Sequence, residues 1–181
     1  MKNLHLLTVL TVIATLFLVA CGGSAAPKGP VAVFEPDWYG NVTENENFVF
    51  TYGNSEKVSQ NASESGAHAN ALAEGAHYVE THVTTMTKNF MSESGYENPE
   101  VVALTEQITK IVANTKFQGT QITQRKTYVV ENGRYKTFMQ VAIPKAAINK
   151  ELVDRIKKEE ALYNRFRASQ AFDELERSVN K

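Results

Sequence analysis

Between Gln60 and Phe90 the residues Ala69, Leu72, Ala76, Val79, Val83, Met86 and Phe90 recur at alternating spacings of three and four. That spacing puts them on one face of a long amphipathic helix. The first half of the segment is unusually small in side-chain volume, with Ala62, Gly66, Ala67, Ala69, Ala71, Ala73, Gly75 and Ala76. Small residues let another backbone come close, so this half is expected to lie tightly on a sheet. Gly66 and Gly75 each cost up to ~1 kcal/mol of helix propensity relative to Ala, which close packing would offset.

The segments around this helix supply the sheet. In Asn47–Gly53 the residues Phe48, Phe50 and Tyr52 alternate with Val49 and Thr51, the period of a strand. Gly53-Asn54-Ser55 is expected to end or bulge it. Ser94-Gly95-Tyr96-Glu97 breaks the long helix. Asn98 as N-cap and Pro99 at the first helical position start a second, striped by Val101, Leu104, Ile108 and Ile111. Residues 119–131 and 134–143 read as two strands joined at Asn132-Gly133, a hairpin tip whose two central residues would both take positive φ. Tyr135, Thr137, Met139, Val141 and Ile143 form an apolar face, while Lys136, Phe138, Gln140 and Ala142 form a mixed one. Such a sheet is covered by helices on one side. Pro144 is expected to stop the strand.

A final helix is expected from Lys145 to near the end, with Ile148, Leu152 and Ile156 docking on the domain. The order β-α-α-β-β-α describes an α+β fold: a small antiparallel sheet, a helical hairpin on one face and a long C-terminal helix. Beyond Lys157 the stripe Leu162, Phe166, Phe172, Leu175 and Val179 continues among charged residues, with Ser169 at the missing step. So long an extension exceeds what a small sheet can cover. Residues 36–156 are therefore read as the domain and 157–181 as an amphipathic addition whose stripe packs on a second copy or another envelope protein, since burying each Leu or Phe contributes ~1.5–3 kcal/mol.

The N-terminus limits where such a chain works. Lys2 precedes an apolar run from Leu4 to Ala20, too short for the ~20 residues a membrane-spanning helix needs. The run ends in Leu18-Val19-Ala20-Cys21, which resembles a bacterial lipobox, and Cys21 is the only cysteine. The resemblance implies cleavage after residue 20 and acylation of Cys21, hence a membrane anchor. Several acyl chains on one residue give durable attachment, whereas one chain holds only marginally. Gly22, in place of an aspartate, implies the outer membrane, facing the periplasm. Residues 21–35, rich in Gly, Ala and Pro, read as a tether reaching at most ~50 Å.

No pattern in the chain points to catalysis. The formal charge is −1 and no basic stripe interleaved with aromatics exists, so nucleic-acid binding is not expected. His68, His77 and His82 are nine and five residues apart, which does not place two imidazoles on one helical face for a metal. Neither a serine elbow nor a phosphate-binding glycine loop occurs. No catalytic residue, metal or cofactor is expected. Glu35-Pro36-Asp37-Trp38-Tyr39 reads as a bend that seats Trp38 against the domain edge.

Taken with Leu18-Val-Ala-Cys21, several features resemble the Lpp-twenty family of bacterial lipoproteins. They are Pro36-Asp37-Trp38 before a strand, the alanine-rich helix entered at Ser59-Gln60-Asn61-Ala62, and the strand 135–143 followed by Leu152-Val-Asp-Arg155. The resemblance spans residues 16–157. It implies no catalytic residues. For the flagellar branch it implies assembly into a disk or ring beneath the outer membrane that supports the motor. The expected function is thus an outer-membrane-anchored lipoprotein that forms homo-oligomers, with flagellar or other envelope proteins as further partners. The alternative is a monomeric module that binds an envelope protein, peptidoglycan or a small ligand through Trp38, Tyr39, Phe48 and Tyr52.

Overall fold

Three strands and five helices make up the described chain: β1 (Phe48–Lys57), α1 (Gln60–Ser94), α2 (Pro99–Ala113), β2 (Gln121–Val129), β3 (Tyr135–Pro144), α3 (Lys145–Lys158), α4 (Glu160–Phe166) and α5 (Gln170–Val179). The computed structural model describes residues 34–41, 44–95, 98–130 and 132–180. Cys21 and the segment before it lie outside them. The fold is α+β, with an antiparallel sheet in the order β1-β3-β2. Val49 pairs with Ile143, and Tyr52 with Gln140. On the other side Lys126 pairs with Phe138, after a bulge between Ile122 and Gln124.

α1 packs on β1 and β3. The Ser59 side chain caps it by accepting the Ala62 N–H, and Gly95 at φ 67° ends it in the left-handed conformation. Its buried row is Ser63, Ala67, Ala71, Gly75, Val79, Val83, Thr87 and Phe90. The expected stripe holds from Val79 onward but not before it: Ala69 is exposed and Leu72 is 39% exposed. Size, not apolarity, selects the contact row here. A β-carbon on Gly53 would lie 2.1 Å from the Ala67 carbonyl oxygen, so strand and helix meet backbone to backbone. Leu72 could not enter such a contact. Ser63 does enter it, because its Oγ donates to the Ser55 carbonyl at 2.8 Å and lies 2.9 Å from Thr137 Oγ1.

The same contact explains why β1 does not stop at Gly53. The glycine continues the ladder to Lys57 because only a residue without a side chain fits beneath α1 there. At the β2–β3 turn the closing bond runs from Val130 N–H to the Arg134 carbonyl, and of Asn132 and Gly133 only the glycine has positive φ. This is a three-residue loop with a left-handed glycine rather than the two-residue turn expected.

β3 is buried on both faces. Thr137, Met139, Val141 and Ile143 lie under the helices. On the other face Phe138 lies under a turn at Pro36–Tyr39, closed by Tyr39 N–H to the Pro36 carbonyl at 2.8 Å, and Gln140 Nε2 donates to the Tyr52 hydroxyl at 3.0 Å. Tyr39 is the wedge: its ring packs edge-on to Phe138 at 4.8 Å and to Tyr52 at 5.7 Å.

The C-terminal helical run forms, but in three pieces. α3 stops at Glu159, where the backbone turns extended, and Ser169 is the N-cap of α5, accepting the Phe172 N–H. The breaks let the run fold back on the molecule. Leu162, Phe166 and Phe172 are essentially inaccessible and Leu175 is 6% exposed. Phe166 and Phe172 both pack on Phe90, with ring centroids 5.5 and 5.4 Å away. Residues 35–181 form one compact unit, so no boundary falls near residue 157.

Candidate functional site

A three-stranded sheet has two edges, and here they differ. In an antiparallel ladder the backbone groups of alternate residues point away from the partner strand. In β1 these belong to the even-numbered residues, and polar side chains cap several of them. Asn45 Oδ1 accepts the Phe48 N–H at 3.0 Å, and the Glu74 carboxylate accepts the Tyr52 N–H. Asn70 Nδ2 donates to the Asn54 carbonyl at 2.7 Å, and Arg134 Nη2 donates to that of Glu56 at 3.2 Å. Asn70 and Glu74 come from α1, which lies over this edge. Side chains thus engage one outward group each of Phe48, Tyr52, Asn54 and Glu56, which blunts the edge.

β2 has no such cover. Gln124, Lys126 and Tyr128 face β3 through the ladder, so the N–H and C=O groups of Arg125, Thr127 and Val129 point outward. Among the described residues none of these outward groups has a protein partner. No helix packs substantially on the strand. Residues 121–126 are all exposed, and Ile122 and Val129 are 47% and 68% exposed. An Arg125–Glu64 ion pair at 2.7 Å ties β2 to α1, on the helix side of the sheet. Lys126 reaches over its neighbour Tyr128 on the other side.

The remaining candidate residues fall elsewhere. The stripe Leu162, Phe166, Phe172 and Leu175, expected to meet a partner, is interior, and Val179 packs against the same core. It offers no free area, because the breaks at Glu159 and Ser169 turn it inward. Trp38 is half-buried, edge-on to Tyr39 at 6.1 Å. Tyr39 accepts from Asn54 Nδ2, and the Tyr52 hydroxyl lies between Asn41 and Gln140. These rings pack on one another, while Phe48 lines a separate open cleft with Phe50, Glu74, Tyr78 and Lys145.

Among the described residues, which include His68, His77 and His82, no cluster of three metal-ligating side chains occurs. His82 stacks on Tyr78 at 5.8 Å. Burial holds its pKa below the ordinary value, aided by the Lys145 charge and opposed by a hydrogen bond with Asn149. Glu93 joins α1 to α5: its carboxylate accepts the Ala171 N–H at 3.0 Å and the Ser169 hydroxyl at 2.7 Å. These bonds hold its pKa below the usual carboxylate value.

Sequence reading missed the β2 edge. The available signal was the absence of a clean apolar face in Gln121-Ile-Thr-Gln-Arg-Lys126, but recognising an edge also requires the strand order, which pairing alone decides. Among the described residues no helix is long and apolar enough to cross a membrane. No family model, curated protein or solved structure matches the chain.

Proposed function

We propose that this chain is a lipoprotein anchored in the outer membrane through Cys21, and that it self-associates as a structural component of the envelope. The flagellar motor disk or ring is the setting that its resemblance to the Lpp-twenty family implies. The observation that carries the reading is the asymmetry of the sheet: β1 is capped by Asn45, Asn70, Glu74 and Arg134, while β2 is bare. A long exposed edge is a template for another strand, and soluble monomers blunt such edges. Here one edge is blunted and the other is kept.

The anchor supports the same reading. Attachment to a membrane confines copies to two dimensions and raises their effective concentration, so a short strand contact suffices for assembly. The test uses the full-length chain expressed in a bacterium and purified from membranes in mild detergent. Sedimentation should give species above the monomer at micromolar concentration. Cys21→Ser should move the protein out of the membrane fraction and abolish incorporation of labelled fatty acid. A strict monomer would refute self-association, and membrane retention of the Cys21→Ser chain would refute the anchor.

A further inference from the structure

From the two unlike edges we infer that the partner of β2 is β2 of a second copy, in a closed two-fold dimer whose axis passes by Thr127. This rests on the self-association proposed above and specifies the symmetry and register of one contact within it; a disk or ring needs a second, different contact besides.

The argument begins with what β2 cannot do. A head-to-tail arrangement, with β2 of one copy on β1 of the next, is one way to build a ring. It needs the outward groups of β1. The Phe48 and Tyr52 N–H groups and the Asn54 and Glu56 carbonyls are already bonded to Asn45, Glu74, Asn70 and Arg134. Pairing with β1 would require breaking those bonds. The edge left open is β2, so the same patch must serve on both copies.

Charge excludes two of the registers open to the strand and allows the one centred at Thr127. The outward groups belong to Arg125, Thr127 and Val129, and an antiparallel self-pairing must set these residues opposite one another. Centred between the two Arg125 residues, the pairing puts like charges face to face. Centred at Lys126 it does the same with lysines. Like charges directly opposite are destabilising. Centred at Thr127, it places Thr127 opposite Thr127, Arg125 opposite Val129, and Lys126 opposite Tyr128. That register has no like-charge pair. The arginine stem covers the exposed Val129 side chain, and the ammonium of Lys126, already over its own Tyr128 ring at 5.9 Å, meets a second one. Both copies keep α1 on the same side, so the product is a six-stranded sheet with uninterrupted pairing.

The experiment changes the charge at position 129, where the side chain is 68% exposed and a charge of either sign stays in water. In the full-length chain in mild detergent, Val129→Glu sets a carboxylate opposite Arg125 of the second copy. It should tighten dimerisation about five-fold, since two such pairs form per dimer. Val129→Lys should weaken it by a similar factor. Ile122→Lys, outside the paired span, should leave the dimer constant unchanged. Circular dichroism should be the same for all three. Opposite responses at 129 with none at 122 support the register. Self-association that ignores the sign at 129 overturns this interface and leaves the wider assembly reading standing. A monomeric parent chain overturns both.

Discussion

Gly53 lies directly beneath Ala71: a β-carbon built on the glycine would stand 2.3 Å from the Ala71 nitrogen and 2.1 Å from the Ala67 oxygen. Both obstacles are backbone atoms of α1, so neither can rotate aside. Gly53→Ala should therefore push α1 off the sheet and destabilise the protein by about 3 kcal/mol. Gly75→Ala is the informative contrast. Its β-carbon would crowd Ile143 Cδ1, at 2.5 Å, the movable end of a side chain, and would stand at an ordinary 3.7 Å from the Thr51 side chain. The gain of up to ~1 kcal/mol in helix propensity offsets part of that crowding. Thermal unfolding should show a large drop for the first variant and a small change for the second.

Phe166 and Phe172 close on Phe90 from two different helices. Replacing either with Ala leaves a cavity between α1 and the C-terminal helices, at a cost of about 3–5 kcal/mol. Denaturant titration of the single variants should show a lowered midpoint. The double replacement with Ser should unfold the chain outright. Retained stability together with lost assembly would contradict the buried placement.

Glu93 ties the start of α5 to the end of α1 through the Ala171 N–H and the Ser169 hydroxyl. Its pKa is lowered in the folded protein, chiefly by the Ala171 hydrogen bond. The contribution to stability is therefore present above the unfolded carboxyl value and is lost as pH falls through the folded one. Glu93→Gln removes that dependence. The difference in melting temperature between parent and variant should be largest near neutral pH and shrink below the ordinary value of 4.5. A difference that stays constant with pH would show that the carboxylate charge contributes nothing.

Asn70 and Glu74 keep β1 from acting as a template. Replacing both with Ala frees the Asn54 carbonyl and the Tyr52 N–H at the edge. Both positions are exposed on α1, so the core is not disturbed. Light scattering on the double variant should reveal species larger than those of the parent, growing with concentration. An unchanged size distribution would mean that α1 itself, lying over β1, blocks the edge sterically.

Much of the local architecture could be read from the chain. Ser59, Asn98 and Gly95 mark helix ends because their side chains or backbone freedom meet a need of the adjacent turn. Alternation in Tyr135–Ile143 identifies a strand and its helix-facing side. Two signals misled. Leu72 weighs more than Gly75 in any apolar count, yet Gly75 is buried and Leu72 is not, since the space under the first half of α1 admits only small groups. Ser169 looked like a polar step in one continuous stripe. It is an N-cap, and the chain turns there.

Which segments become helix and strand, and where most of them end, is written in the chain, as is the lipobox-like Leu18–Cys21 from which the anchor reading comes. These rest on short-range physics: backbone preferences, caps and period, each contained within a few residues. Tertiary structure alone decided that β3 sits between β1 and β2, leaving two unlike edges. It also decided that the C-terminal stripe turns inward onto Phe90. Both outcomes depend on contacts between residues far apart in the chain, such as Gly53 with Ala71 on α1 and Phe90 with Phe172 on α5. Periodicity shows that a face will be buried, but the shape of the surface waiting for it selects which face and against what.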